Sequence, residues 1–455
     1  MKLAKRFMAL SLSALMALSF AGCGDKTSDT SATTKAADST TKAADSNGGS
    51  DSGKGYEDCE ISISWWGGDA RHEATIAAIE AFQKKYPGIT VKYNYGAWSD
   101  WETAMATQFS SGTAPDVNQI NWNWIESYSS DGSTFLDLNT VADTFDLTQY
   151  PEDKLNLCKV GDSLQAVPVS MTGRIFYWNK TTFEKAGIGV PTTNAELLAA
   201  GQTFKDVLGD DYYPLSLGEY DRMICMVYYL ESKYGKNWVE NGALNYTKEE
   251  IMDGLSYIDS LEDNHVMPTL AIQIGDGADS LDKNSKWING NYAGILEWDS
   301  SATKYRSALA EGQEMVVGNY FTDWGSNQGG FTKVSLGFAI TATTKHPHES
   351  AMLMNYLLNE DEGTTLLNSQ RGIPLSAAAL ANCTSQNLLD EMVAEANSKV
   401  LAWCDYQLDS KFEDSSLKGS DGVYYDVFGN LSYDNYTVEQ AADALIEGIG
   451  TTLSK

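Results

Sequence analysis

The sequence predicts an α/β protein built around one strand–helix–strand unit near its start. Ile61-Ser62-Ile63-Ser64-Trp65-Trp66 alternates polar and apolar residues and reads as a strand. Gly67-Gly68-Asp69 interrupts it, and a helical segment follows over 71–86, with Ile76, Ile79, Phe82 and Tyr86 at spacings of three and four. Pro87-Gly88 stops the helix, and Ile89, Val91, Tyr93 and Tyr95 alternate along a second strand. Two strands joined by one helix over so short a stretch imply a right-handed crossover and a parallel pair. Ligands of open parallel sheets sit beyond the carboxyl ends of the strands. That rule places Trp66, Gly67, Gly68, Asp69 and Arg71 at a cleft, with alternation turning Trp65 inward and Trp66 toward the opening.

The rest of the chain repeats the mixture. A helix is predicted over 98–112 and a short strand over 117–120, ending on Asn121-Trp122-Asn123-Trp124. Extended segments over 165–170 and 174–179 precede helices over 195–208, capped by Asn194, and over 223–234 and 248–264. Residues 287–299 read as a helix end, a turn and a strand closing on Glu297, Trp298 and Asp299. Strands over 315–317 and 336–340 and a helix over 348–359, with Pro347 in its first turn, lead to a helical C-terminal third. His346-Pro347-His348 thus reads as a helix start rather than a metal pair.

Composition narrows the function classes. The 455 residues suffice for two or three domains, and 12 Trp and 24 Tyr suit a surface that grips flat, half-apolar ligands. The formal net charge of -30 becomes three units more negative once Lys2, Lys5 and Arg6 leave with a targeting segment. Such a field repels nucleic acid. Residues 1–23 have a basic start, an apolar stretch too short to span a membrane, and Ala21-Gly22-Cys23 at the end, which resembles a bacterial lipobox with Cys23 as the lipidated residue. Residues 24–55 form a Ser/Thr/Asp/Gly tether with a tandem TTKAADS repeat and no apolar residue larger than Ala. As a flexible coil it spans on the order of 30 Å. Of six cysteines, five remain after lipidation, with no CxxC or Cys/His metal spacing, so no metal and no cofactor is expected. No Gly-x-Ser-x-Gly elbow or phosphate-binding Gly-Lys-Ser/Thr loop occurs.

Several local motifs stand in one order: Phe82-Gln83-Lys84-Lys85-Tyr86-Pro87-Gly88-Ile89, Ser111-Gly112-Thr113-Ala114-Pro115-Asp116-Val117, Tyr177-Trp178-Asn179-Lys180, Phe183-Glu184-Lys185-Ala186-Gly187-Ile188, Asn289-Gly290-Asn291-Tyr292-Ala293-Gly294 and Gly372-Ile373-Pro374. This set resembles family 1 of the extracellular solute-binding proteins, the maltose-binding-protein-like sugar-binding lipoproteins of ABC importers, from Ile61 to about Leu375. Trp178 stands where that family usually has Tyr, and Asn194 where it often has Trp. The resemblance implies a two-lobe periplasmic-binding-protein-like fold with hinge-linked mixed sheets and a ligand cleft between the lobes. Lobe 1 is expected over 56–169 plus 300–335 and lobe 2 over 170–299 plus 336–455, with crossings near 168–172, 297–301 and 330–336. It further implies a monomer held by lipid on Cys23 at the outer face of the cytoplasmic membrane, handing a carbohydrate to ABC permease subunits.

A sugar presents C–H faces that suit indoles and hydroxyls that need paired donors and acceptors. The candidate ligand residues are Trp66, Asp69, Arg71, Asn121 and Trp122 from the first lobe. From the second lobe and the crossings they are Glu219, Tyr220, Asp221, Trp298, Asp299, Trp324, Gly329 and Trp403. No catalytic residue is expected. Glu297 and Asp299 imitate a glycosidase pair, but carboxylates at i and i+2 of a strand share one face. A glycan-binding adhesin is the other alternative.

Overall fold

The computed structural model describes residues 55–99, 101–278 and 280–455. Cys23 and most of the tether lie outside the described residues. Strand Cys59–Trp66 pairs in parallel with strand Ile89–Gly96, joined by helix Asp69–Lys85, which buries Thr75, Ala78, Ile79 and Phe82 against the sheet. Strand Val117–Ile120 lies on its other side, also parallel. Strand Gly337–Ile340 then pairs antiparallel with it, and Val167–Pro168 closes a five-stranded mixed sheet. In a second sheet, Arg174–Asn179 is flanked antiparallel by Gly294–Trp298 and Met315–Val317. Every residue of Arg174–Asn179 is buried, as a central strand covered on both faces must be.

Two separate apolar cores define the lobes. One gathers Ile61, Trp65, Phe82, Val117, Phe338 and Tyr356; the other gathers Phe176, Trp178, Met223, Leu255, Phe331 and Phe428. Buried residues from Ala302 to Phe331 belong to the second core, and those from Val334 to Leu367 to the first. The sequence division set 300–335 in lobe 1 and 336–455 in lobe 2; the structure instead packs 302–331 in the second core and 334–367 in the first, while the buried residues from Val393 to Ile449 belong to the second core. The chain changes core between Met171 and Ile175, between Phe331 and Val334, and between Leu367 and Val393. Residues 297–301 do not cross: strand Gly294–Trp298 runs directly into helix Ala302–Ala308, and both pack in the second core. They run beside the crossing strands, because Asp299 accepts hydrogen bonds from Thr172 and Asn397. Crossing strands Met171–Thr172 and Phe331–Val334 pair antiparallel, and Tyr406–Gln407 joins them in a small sheet.

Local boundaries follow their chemical signals closely. Helix Asn194–Leu208 is capped one residue earlier than expected, by Thr193, whose hydroxyl accepts from the Glu196 amide. Helix Pro347–Asn359 carries its proline at the first position, where no amide is needed. Among the described residues no helix is long and apolar enough to cross a membrane, and the five cysteines there are free.

Candidate functional site

The carboxyl ends of the parallel strands carry a connected polar network. Arg71 folds back over Gly67; a Cβ there would lie 2.5 Å from the Arg71 Cδ, so this close approach requires glycine. Arg71 Nη1 donates to the Trp66 carbonyl at 3.2 Å and Nε to the Gln370 carbonyl at 2.9 Å. The Trp66 carbonyl also accepts from Gln119, whose Oε1 accepts from Arg371 Nε at 2.8 Å. Arg371 Nη2 donates to Thr75, while its Nη1 is buried without a partner among the described residues. Among the described residues neither guanidinium pairs with a carboxylate, whereas Arg174, Arg222 and Arg306 each do. Burial pulls Arg71 down to about 10; burial and the charge of Arg71 hold Arg371 well below the usual range.

Next to this network, aromatic rings form a wall. The half-buried Trp66 ring packs against Trp98 at 5.0 Å and Trp124 at 5.5 Å, and Trp98 is exposed beyond it. Trp65 is fully buried and donates its indole N–H to His72.

Residues of both lobes meet around Glu413. Asn121 Nδ2 donates to the Glu413 carboxylate at 3.3 Å, and Asn123 Nδ2 to the Glu413 carbonyl at 2.8 Å. From the second lobe, Tyr220 donates its hydroxyl to Glu413 at 2.9 Å; Lys333 pairs with it closely, and Lys418 approaches to 3.5 Å. Burial alone would raise the Glu413 carboxyl, but Lys333 and Lys418 outweigh it and hold it well below the usual carboxylate range. Burial pulls the Lys333 ammonium down to about 8 against the pull of Glu413. Trp298 is half-buried between two cations: Arg174 lies 4.8 Å and Lys333 4.6 Å from its ring centre. Arg174 reaches Asp221 at 2.5 Å and Glu297 at 3.7 Å; these carboxylates outweigh the effect of burial and hold it charged. Burial raises Asp221 despite that contact. Lys418 lies 5.2 Å from the Trp98 ring, linking this cluster to the aromatic wall.

Of the sequence candidates, Asn121, Tyr220, Asp221 and Trp298 therefore come together, with Trp66 and Arg71 at the strand ends nearby. Asp69 and Glu219 occupy the first positions of their helices, Asp69 exposed and Glu219 half-buried. The other five candidates do not join this group: Trp324, Gly329 and Asp299 are buried elsewhere, and Trp122 and Trp403 are half-buried against the cores. Trp122 turns toward the first core and donates to the Leu157 carbonyl at 2.7 Å. Trp324 is buried among Phe176, Phe321 and Tyr257. Gly329 packs against the helix Glu219–Tyr234, where a Cβ would meet the Ser232 amide at 2.3 Å. Asp299 is sealed beneath the crossing strands, its carboxyl pushed up to about 6 by burial in spite of its hydrogen bonds. Trp403 stacks on Tyr320 at 5.4 Å and packs against the second core.

Sequence reasoning missed Trp98, Asn123, Arg174, Lys333, Arg371, Glu413 and Lys418. Asn123 and Arg174 stood in segments already singled out, and two lysines beside one buried glutamate carry no local signature.

A family model described as bacterial extracellular solute-binding protein matches residues 68–364. A periplasmic oligogalacturonide-binding protein from Yersinia enterocolitica, solved with saturated digalacturonic acid, is 34% identical, covering 87% of this chain and 98% of that one with a TM-score of 0.83. A periplasmic solute-binding protein from Pectobacterium atrosepticum is also 34% identical over 87% of this chain and 98% of its own, with a TM-score of 0.81. A curated binding protein of Brucella abortus is 27% identical over 157 residues, a stretch covering 34% of this chain and 38% of that relative. Two cores joined by crossing strands, polar residues of both lobes meeting at one place, and a family match over most of the chain agree: the chain belongs to the bacterial extracellular solute-binding proteins.

Proposed function

We propose that the protein captures an acidic oligosaccharide, of the uronic-acid class, between its two lobes and delivers it to an ABC permease. The observation that carries this reading is the 34% identity, over nearly the whole folded chain, to a protein solved with digalacturonic acid. Charge placement supports it. In a chain of formal charge -30, Arg71 and Arg371 stand at the strand ends without a carboxylate partner among the described residues, beside a wall of indoles. A uronic acid supplies an anion for the first and a C–H face for the second. Cys23 would carry the lipid, the tether would keep the body at the outer face of the membrane, and the protein would act as a monomer.

Glycoside hydrolysis is disfavoured by the state of the two carboxyls that could imitate a catalytic pair. Glu297 accepts from Tyr305 and from the Trp298 amide, and Asp299 accepts from Thr172, Asn397 and Ser300. Neither stands across a gap where a scissile bond could lie. We read the chain as a binding protein and not an enzyme.

Titration calorimetry with digalacturonate, neutral disaccharides and monosaccharides tests the reading. Binding of the digalacturonate with accompanying compaction in small-angle scattering is expected. Binding of a monosaccharide alone, or hydrolysis of any glycan by pure protein, overturns it; binding of polymer without compaction indicates an adhesin. Trp298→Ala is expected to weaken binding at least tenfold, about 1.4 kcal/mol, without unfolding the protein.

A further inference from the structure

Cys59 meets His346 and Glu349, two side chains far along the sequence from it, where strand Cys59–Trp66 and helix Pro347–Asn359 both begin. One ligand atom from each of Cys59, His346 and Glu349 lies within 4.8 Å of the other two. Each is prepared for a cation in a different way. Glu349 is 3% exposed; its Oε1 accepts from the Glu57 amide at 2.8 Å, which orients the carboxylate. The Nδ1 of His346 is buried and has no hydrogen-bond partner among the described residues, an expense a buried imidazole nitrogen seldom bears without a role. Cys59 is a free, half-buried thiol.

We infer that Cys59, His346 and Glu349 form a zinc site that clamps the start of the first strand to the start of helix Pro347–Asn359. One sulfur, one nitrogen and one oxygen suit zinc; calcium and magnesium take oxygen donors. Zinc bonds of about 2.0–2.3 Å put tetrahedral ligand atoms about 3.5 Å apart. The three donors must therefore draw in by about an ångström, within reach of side-chain rotation. A cavity of about 480 Å³, lined by Tyr56, Glu57, Lys345, His348 and Glu349, opens beside them and admits water as the fourth ligand. Binding replaces the thiol proton, which passes to solvent, and leaves a thiolate–metal bond. The cluster belongs to the first lobe alone, so the clamp would stabilise that lobe without altering ligand capture.

Cobalt(II) titration of the full-length chain, stripped with chelator and held in detergent, tests the site. One equivalent is expected to bind with a thiolate-to-cobalt charge-transfer band in the near ultraviolet, and zinc should displace it. Cys59→Ser should abolish the band. His346→Ala, which keeps the thiol, should weaken cobalt binding at least tenfold, and serves if the serine variant does not fold. Zinc should raise the melting temperature of the parent and not that of Cys59→Ser. Absence of the band, its persistence in Cys59→Ser, or cobalt affinity unchanged in His346→Ala overturns the proposal.

Discussion

Two groups of buried cations in this protein are treated in opposite ways. Around Glu413 and Trp298, Arg174, Lys333 and Lys418 are matched by Asp221, Glu297 and Glu413, so each cation has an anion within 4.0 Å. At the ends of the parallel strands, the hydrogen bonds of Arg71 and Arg371 among the described residues go to carbonyl, amide and hydroxyl oxygens. Burying a charge is costly, and attraction to a partner offsets the cost only where the partner is present. The first group is complete and can act as a scaffold between the lobes. The second lacks negative charge among the described residues, and on the function proposed above an anionic ligand would supply it.

The largest expected effect breaks the completed group. Glu413→Gln leaves Lys333 buried, its charge no longer compensated, and should destabilise the protein by about 3–5 kcal/mol in urea unfolding. A loss below 1 kcal/mol would mean that solvent reaches the cluster and that its pairing does not organise the lobes. The pH dependence has a definite sign. Because the Glu413 carboxyl is held below its ordinary value, the stability it contributes is present at neutral pH and is lost as pH falls toward and below the usual carboxylate range.

This contrast also explains what the sequence could and could not disclose. The strand–helix–strand unit was legible because it is written in local periodicity. Helix Asp69–Lys85 and strand Ile89–Gly96 lie within two residues of their predicted limits, and Trp65 and Trp66 take opposite faces as alternation requires. Trp298 could be nominated because it ends a readable strand, whereas Tyr220 and Asp221 stand ahead of the helix expected over 223–234 and lie in its first turn because that helix begins at Glu219. The completed charge group was not legible: Asn121 and Glu413 are 292 residues apart, and Lys333 and Glu413 are 80 apart. Nor does an indole reveal its surroundings. Trp324 and Trp298 are the same residue type after similar strand-and-turn signals, yet one lies among Phe176 and Phe321 and the other between Arg174 and Lys333. Packing partners, not the residue type, separate an indole in the core from one set between cations.

A buried carboxyl with only neutral partners sharpens the comparison from the opposite charge. Asp299 accepts from Thr172, Asn397 and the Ser300 amide, and burial raises it to about 6. A folded-state value above the unfolded one means that the folded protein holds the proton more tightly between about pH 4 and 6. Stability should therefore fall as pH rises through that window, by about 2–3 kcal/mol relative to Asp299→Asn, and level off above it. Parallel curves for the two proteins in urea unfolding would show that hydrogen bonds alone can keep a buried charge at its ordinary affinity for protons.

That outcome bears directly on Arg71 and Arg371, and the smallest predicted effect tests them. Arg71→Gln keeps a donor near the Trp66 and Gln370 carbonyls but removes the charge. If the guanidinium awaits an anion, digalacturonate affinity should fall about 10- to 100-fold, corresponding to about 1.4–2.7 kcal/mol. Affinity for a neutral disaccharide of the same length should not change, and raised salt should weaken uronide binding in the parent more than in the variant. The variant should be no less stable without ligand, since a buried like-charged neighbour of Arg371 has gone. Equal losses for charged and neutral sugars would assign Arg71 to shaping the strand ends, and the unmatched pair would then be a structural cost rather than a ligand's counter-charge. Loss for the uronide alone would make charge accounting, applied lobe by lobe, sufficient to locate the ligand's carboxylate in a cleft that aromatic residues alone leave ambiguous.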